Sequence, residues 1–232
     1  MIDTKLIVID GLSGSGKTTT AEWLTSRLEQ QGTKIWYLPE YDTAHPLWWY
    51  RYWDGSAYLT PDFDNSPIET FLETSLSKWR GFVDSMHTSN QIVLAESVFF
   101  QDAVAMFLMG GAAPIRLMEY AREVQQIAQA LDPVLIYFRQ NDVRGALRRI
   151  CSIRGPEFEN DLVANMESFP YLKLRNLKGL DGIAVLWQNV HEVTDSIFDE
   201  YKIRKLAIDV SKGNWLDYHQ RILDFLDLQK TL

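Results

Sequence analysis

A glycine-rich segment of eight residues has the types and spacing that most directly permit chemistry. It reads Gly-Leu-Ser-Gly-Ser-Gly-Lys-Thr and occupies residues 11–18. Glycines at this spacing let the main chain curl so that successive N–H groups converge on phosphate oxygens, and a following helix adds its positive end. In the pattern G-x-x-x-x-G-K-[ST] the lysine reaches the β- and γ-phosphates and the final hydroxyl ligates Mg²⁺. The segment therefore predicts a nucleoside triphosphate site.

We expect this nucleotide to be ATP, bound with Mg²⁺ by the loop and by the start of the next helix. The residues predicted to contact it are Gly11, Ser13, Gly14, Ser15, Gly16, Lys17, Thr18 and Thr19. The chain has neither the Asn-Lys-x-Asp sequence with which GTPases read guanine nor the Leu-Ser-Gly-Gly-Gln signature of transporter ATPases. A chain of 232 residues with one such loop near its start favours a small-molecule kinase.

Two glutamates follow apolar runs and are candidates for the chemistry itself. Glu40 comes just after residues 34–38, and Glu96 ends the run at 91–95. Open parallel sheets bind ligands at the carboxyl ends of their strands, so both carboxylates are expected near the loop. Glu40 would accept or orient the proton of an attacking hydroxyl, and Glu96 would hold Mg²⁺ together with Thr18. A solvated loop glutamate and an acidic helix N-cap are the alternatives.

A cluster of arginines lies in and just after a predicted helix, although the chain as a whole is acidic. Its members are Arg144, Arg148, Arg149 and Arg154. A planar guanidinium suits the γ-phosphate oxygens, which gain negative charge during phosphoryl transfer. Members of this cluster are therefore predicted to contact those oxygens. The alternative for the cluster is a solvated helix face paired with local acids.

Aromatic residues crowd the stretch after Glu40, which we predict to be the acceptor side of the site. Such side chains can stack on a flat ring or form the wall of a closed pocket. The alternative for the aromatics is a hydrophobic flap packed on the domain. Asp102 could recognise an amine or hydroxyl of the acceptor, and its alternative is a surface position on a helix. The residues expected to contact the acceptor are Glu40, Trp48, Trp49, Arg51, Trp53, Glu96 and Asp102.

Strands that alternate with helices are the elements that must position these residues. Apolar runs predict strands at 5–10, 34–38, 91–95, 133–138 and 205–210. Helical spacing predicts helices at 18–30, 66–87, 98–109, 114–131, about 142–153 and from 215, with a polar stretch between helices at 155–161. This alternation implies parallel pairing through right-handed crossovers, and hence an α/β fold with a five-stranded parallel sheet.

Composition excludes several classes of protein. The net charge of −8 argues against a protein that wraps a nucleic acid polymer. A single cysteine, Cys151, excludes an internal disulfide framework and favours a reducing compartment. No signal peptide or membrane-spanning run is visible, so a soluble, cytoplasmic protein is expected.

The combined pattern resembles the nucleoside and nucleotide kinase branch of the P-loop proteins, most of all the deoxyribonucleoside kinases and thymidylate kinase-like proteins. The segments that carry the resemblance are 11–18, Leu38-Pro39-Glu40, Ala95-Glu96-Ser97-Val98-Phe99, and 148–155 with Glu157 and Glu159. The resemblance implies a three-layer P-loop NTPase fold with a helical lid, in one domain over 1–232. The lid would cover about 144–161 and an acceptor-side flap about 41–65.

The resemblance also implies a function: transfer of the γ-phosphoryl group of Mg·ATP to a nucleoside or nucleotide, with Glu40 as the base. Arg149 and Arg154 match the family's lid best, so the resemblance implies that they are the catalytic arginines. Two positions depart from the family pattern. The arginine expected after the strand-three glutamate is replaced by Ser97, and Pro156 replaces a further lid arginine. A kinase acting on another hydroxyl acceptor, such as an antibiotic or sugar, and a non-catalytic ATP-binding sensor therefore stay open. A homodimer through the helices at 66–87 and 114–131 is compatible with the sequence.

Overall fold

Five parallel strands form one sheet in the computed structural model, which describes residues 3–42, 44–50 and 61–228. The strands are β1 (Leu6–Gly11), β2 (Ile35–Leu38), β3 (Ile92–Glu96), β4 (Val134–Arg139) and β5 (Arg204–Asp209). Every neighbouring pair is parallel, and the order across the sheet is β2-β3-β1-β4-β5. The predicted α/β fold with a five-stranded parallel sheet is confirmed.

Helices connect the strands and cover both faces of the sheet. They are α1 (Lys17–Gln30), α2 (Ile68–Met86), a π-helix (Phe100–Ala105) that continues into α3 (Met106–Met109), α4 (Pro114–Ala128) with a 3₁₀ turn after it (Gln129–Leu131), α5 (Val143–Arg154), α6 (Pro156–Glu167), α7 (Pro170–Arg175), α8 (Gly179–Glu200) and α9 (Trp215–Phe225). None of the helices in the described ranges is both long and apolar enough to cross a membrane.

The central strand β1 is buried on both faces, because side chains of a strand alternate between the two sides of a sheet. Leu6 and Val8 join a core that includes residues of α2, α4 and α8, whereas Ile7 and Ile9 join a second core with α1 and α9. All four side chains are fully buried. The fold thus has three layers, with the sheet between two layers of helices.

Two segments differ from the sequence-based expectation. Residues 100–105 form a π-helix, a rare geometry that occurs often at functional sites, instead of a regular α-helix. The non-helical stretch predicted at 155–161 is wrong: only Gly155, with a φ of 89°, separates α5 from α6. Pro156 lies in the first turn of α6, where its missing N–H costs nothing, so the polar composition marks an exposed helix start.

The carboxyl ends of three strands meet at one edge of the sheet. β1 runs directly into the glycine-rich loop, β2 is followed by Glu40, and β3 ends at Glu96. β3 lies between β1 and β2, so these three strand ends are adjacent, and open sheets bind ligands outside the carboxyl ends of their strands.

Candidate active site

The glycine-rich loop joins β1 to α1 and leaves the first turn of the helix without a side-chain cap. Gly14 and Gly16 have φ angles of 76° and 88°, in the left-handed region that favours glycine. Gly16 is the N-cap of α1 and has no side chain with which to accept a hydrogen bond. The first N–H groups of a helix need acceptors, and an anion can supply them. The loop therefore has the chemistry of a phosphate site.

A cavity of about 510 Å³ opens over this loop and extends to α6 and α8. Its polar wall, near the loop, includes Lys17, Glu40, Gln101 and Asp102. Its apolar wall is formed by Ala105, Met106, Met109, Phe158, Leu162, Met166, Phe169, Leu186, Trp187 and Val190. A cavity of this size with an apolar wall and few polar groups is typical of a small-molecule site.

Lys17 lies at the base of the cavity, between the loop and an acidic residue. Its Nζ donates hydrogen bonds to Leu12 O at 3.3 Å and to Gln101 Oε1 at 2.7 Å. The same nitrogen is 3.8 Å from Glu40 Oε2, and the lysine side chain is only 5% exposed. The ammonium group is thus shared by the loop and the acceptor side of the predicted site.

Glu40 is held by the residue that directly follows β3 and by a residue of the π-helix. Its Oε2 accepts a hydrogen bond from Ser97 Oγ at 2.9 Å, and its Oε1 accepts one from Gln101 Nε2 at 2.6 Å. Ser97 has a φ of 66°, which a non-glycine residue rarely adopts, and it is fully buried. At the position where the resemblance implies an arginine, the chain therefore has a short side chain that orients the carboxylate.

Glu96 lies under the first turn of α1 and is fully buried. Its Oε2 accepts a hydrogen bond from Thr18 Oγ1 at 2.7 Å, and its Oε1 accepts one from the Tyr37 hydroxyl. Burial raises the pKa of Glu96, an effect that the two hydrogen bonds partly offset. A hydroxyl and a carboxylate oxygen are ligands that Mg²⁺ prefers, so the pair fits the predicted metal role.

Asp10 and Asp102 add two further carboxyl groups beside Lys17. Asp10 accepts hydrogen bonds from the N–H groups of Gly11, Phe99, Phe100 and Gln101. Burial nevertheless raises the pKa of Asp10 to about 6. Burial, followed by the nearby negative charges of Glu40 and Asp10, holds the pKa of Asp102 well above its usual value. Of these two residues only Asp102 lines the cavity, and its raised pKa favours the neutral, protonated carboxyl.

The two predicted catalytic arginines occupy different environments. Arg154 lines the cavity, with its guanidinium carbon 4.8 Å from the centroid of the Phe158 ring. Arg149 is outside the cavity wall, and its guanidinium lies 3.6 Å from the carboxylate of Asp142. The structure thus brings Arg154, but not Arg149, to the site.

The predicted acceptor-side aromatics pack into the protein. Trp48 is buried, and Trp49 contacts Phe71 and Phe107 while its indole N–H donates to the main-chain oxygen of Asp102 at 2.8 Å. Neither tryptophan lines the cavity. The predictions for Arg51 and Trp53 lie outside the described residues.

Sequence reasoning missed Gln101 and Asp10. Asp10 could have been found from the sequence, because it is an acidic residue near the end of an otherwise apolar strand, whereas Gln101 belongs to no motif. Of the predicted loop residues, the cavity wall includes Ser13, Gly14, Gly16, Lys17, Thr18 and Thr19.

Comparison with solved structures defines the class of fold. No protein-family model matches the sequence, and no curated protein matches it. Solved structures do match, and they show that the chain has the fold of the P-loop nucleotide kinases. The resemblance seen in the sequence is confirmed at the level of the fold.

Two of these structures cover almost the entire chain. Thymidylate kinase from Ehrlichia chaffeensis is 13% identical, with a TM-score of 0.51 over 97% of this chain and 99% of its own. The YorR protein of Bacillus subtilis, solved in complex with phosphorylated GDP, is 10% identical, with a TM-score of 0.50 over 96% of this chain and 95% of its own.

Proposed function

We propose that the protein is a kinase that transfers the γ-phosphoryl group of Mg·ATP to a small molecule, with a nucleoside or nucleotide as the expected acceptor. One observation carries the proposal: Lys17 Nζ, at the end of the glycine-rich loop, lies 3.8 Å from Glu40 Oε2 at the base of the cavity. Phosphoryl transfer depends on holding a donor phosphate and an acceptor oxygen in line. A phosphate-binding cation beside an acceptor-side carboxylate supports such an arrangement.

The described residues divide into donor-side and acceptor-side roles. On the donor side, the loop N–H groups and Lys17 bind the phosphates, and Arg154 is the lid arginine best situated to reach the γ-phosphate. Use of Arg149 would require its release from Asp142. On the acceptor side, Glu40 orients the hydroxyl and takes its proton as the oxygen attacks phosphorus, while the bond to the bridging oxygen breaks and ADP leaves.

Thr18 and Glu96 are the residues that would hold Mg²⁺, which neutralises charge on the β- and γ-phosphate oxygens when bound. Their hydrogen bond would be exchanged for metal coordination or for contact with a metal-bound water. The Tyr37 hydroxyl would continue to orient the Glu96 carboxylate.

Charge at the polar end of the cavity favours a hydroxyl acceptor over a phosphate acceptor. Glu40 lines this end together with Asp102, whose raised pKa favours its neutral form, and Lys17 and Arg154 are the cations among the lining residues that the structure describes. A second phosphate group at Glu40 would meet like charge, whereas a neutral hydroxyl would donate a hydrogen bond to it. This supports a nucleoside more than a nucleoside monophosphate.

The single cysteine, which is buried and unpaired, suits the cytoplasm.

An ADP-production screen tests the proposal. The purified chain is incubated with Mg·ATP and with nucleosides, nucleoside monophosphates or aminoglycoside-type hydroxyl compounds, and the product is identified by mass spectrometry. We expect ADP and phosphorylated acceptor in equal amounts, with nucleosides preferred. Lys17→Ala should abolish turnover while circular dichroism shows an intact fold. ATP binding without turnover for any acceptor would instead indicate a sensor.

A further inference from the structure

The side-chain amide of Gln101 lies between the two groups on which the proposed function depends. Its Oε1 accepts a hydrogen bond from Lys17 Nζ at 2.7 Å, and its Nε2 donates one to Glu40 Oε1 at 2.6 Å. An amide has an acceptor end and a donor end, and here the acceptor faces a cation while the donor faces an anion. Lys17, Gln101 and Glu40 therefore form one hydrogen-bonded chain.

The backbone that carries this amide is fixed to the sheet. The N–H of Gln101 donates to Asp10 Oδ1 at 3.3 Å, and the preceding residues Phe99 and Phe100 donate to Asp10 Oδ2 at 2.9 and 2.8 Å. Asp10 is fully buried at the end of the central strand. A group held in this way can orient a neighbour without first losing much freedom of its own.

A triphosphate would compete with the amide for Lys17. Two of the three donor positions of the ammonium face Leu12 O and Gln101 Oε1. A charged phosphate attracts the ammonium more strongly than a neutral amide does, so Gln101 can release Lys17 at little cost. Glu40 would still accept hydrogen bonds from Gln101 Nε2 and Ser97 Oγ.

We propose, building on the proposed function, that Gln101 is a positioning residue for the transfer reaction. It holds the Glu40 carboxylate at the acceptor side and yields Lys17 to the triphosphate. A neutral side chain is required at this position, because a carboxylate would retain the lysine and repel Glu40.

Nucleotide binding tests the lysine side of this proposal. Calorimetry with Mg²⁺ and a non-hydrolysable ATP analogue compares the full-length wild type with the near-isosteric variants Gln101→Met and Gln101→Glu. Gln101→Met should bind within about threefold of wild type, since the lost hydrogen bond is one that the phosphate replaces. Gln101→Glu should bind about tenfold more weakly, because its carboxylate competes as an ion pair. Equal weakening by both variants, or none by Gln101→Glu, overturns the proposal.

Turnover tests the glutamate side. Gln101→Met should lower kcat about a hundredfold with little change in the KM for ATP, because a small misplacement of a reacting group has effects of this order. Since Gln101 acts through Glu40, a double variant that combines Gln101→Met with Glu40→Gln should be no slower than the single variant Glu40→Gln. If the loss of kcat in the double variant equals the product of the two single-variant losses, the proposal is overturned. So does a Gln101→Met variant whose melting temperature, ATP affinity and kcat all fall together, because that indicates a purely structural role.

Failure of the proposed function gives a different result. A wild-type protein that binds the analogue but phosphorylates no acceptor refutes the kinase proposal and, with it, the glutamate side of this one. The binding measurement still decides the lysine side, because it uses no catalysis. Weaker binding by Gln101→Glu alone supports it, and equal affinities of the two variants overturn it.

Discussion

The Thr18 hydroxyl donates a hydrogen bond of 2.7 Å to Glu96 Oε2, which joins the first turn of α1 to the end of β3. Tyr37, from the edge strand β2, donates to the other carboxylate oxygen. Three elements therefore converge on one buried carboxylate, directly beside the uncapped helix start. Two oxygen ligands are few for a protein metal site, but Mg²⁺ usually completes its shell with waters and substrate phosphates.

Removal of the Thr18 hydroxyl should weaken the use of Mg²⁺. We expect Thr18→Val to raise the Mg²⁺ concentration for half-maximal ADP production by at least about 10-fold, since loss even of a group that only orients a metal ligand typically costs about 10- to 100-fold in affinity. Thr18→Ser retains the hydroxyl and is the matched control, which should stay near wild type. An unchanged Mg²⁺ dependence in Thr18→Val would contradict the role of this residue.

Ser97 allows the effect of a hydrogen bond to be separated from backbone strain. Both Ser97→Ala and Ser97→Gly lose the hydroxyl that donates to Glu40. Both should therefore slow turnover about tenfold or more, because loss of a hydrogen bond to a charged group typically has an effect of this size. Only the glycine variant relieves the φ of 66°, which costs about 1 kcal/mol in a residue with a Cβ. Urea unfolding should therefore find Ser97→Gly more stable than Ser97→Ala by that amount.

Equal stability of the two Ser97 variants would show that the left-handed backbone is not strained here. Turnover that differs between them would show that the backbone, and not the lost hydroxyl, controls Glu40. The two measurements are independent, so each can contradict its own part of the prediction.

The fold could be predicted because its signals are local. Apolar runs of strand length, such as residues 6–9, and the spacing of glycines at 11–16 depend on near neighbours in sequence. The π-helix and the start of α6 could not be read in the same way, since a polar segment such as 156–161 suits a loop and an exposed helix equally.

The acceptor side of the site was harder to predict because it depends on contacts between distant segments. Gln101 meets Lys17 and Glu40 from positions 84 and 61 residues away. Trp48 and Trp49 are residue types suited to a ligand pocket, yet Trp48 is buried and Trp49 packs, partly buried, against Phe107. The apolar cavity wall is instead built by α6 and α8 together with the π-helix and α3.

Gly16 has both a conformational and a steric requirement. Its φ is 88°, and a Cβ at this residue would lie 2.2 Å from Cη2 of Trp215. Trp215 packs against Phe138 and Tyr218, so its displacement disrupts these contacts. Gly16→Ala should destabilise the fold by more than the cost of the left-handed backbone alone, which is about 1–2 kcal/mol, because the partly exposed Trp215 ring must also leave these contacts. It should also abolish binding of the ATP analogue.

Gly32→Ala is the matched control for Gly16→Ala. Gly32 has a φ of 80°, but no atom of the described residues lies within 4 Å of the point that its Cβ would occupy. Its alanine variant therefore has the backbone cost alone, about 1–2 kcal/mol, and nucleotide binding should be unaffected. If the two variants lose equal stability in urea unfolding, the contact with Trp215 has no energetic weight. If the double variant of Gly16→Ala and Trp215→Ala recovers part of the stability lost in Gly16→Ala, the contact with Trp215 contributes to that loss.

The buried Asp10 carboxyl predicts a dependence of stability on pH. Burial raises its pKa from 3.8 to about 6, against the charge of Lys17 and the hydrogen bonds from main-chain N–H groups. The folded protein thus binds a proton at this site more tightly than the unfolded chain does. Its contribution to stability is therefore fully present below about pH 4 and is lost as the pH rises through about 6. The difference between the two pKa values corresponds to about 3 kcal/mol.

Urea unfolding of the wild type and of Asp10→Asn at several pH values measures this contribution. The variant cannot ionise at this position, and most other carboxyl groups titrate in both proteins, so they largely cancel in the difference. We expect the stability of the wild type relative to Asp10→Asn to fall by up to about 3 kcal/mol between pH 4 and pH 7. A relative stability that rises with pH would mean that the N–H donors of Gly11, Phe99, Phe100 and Gln101 outweigh burial and keep the carboxylate ionised.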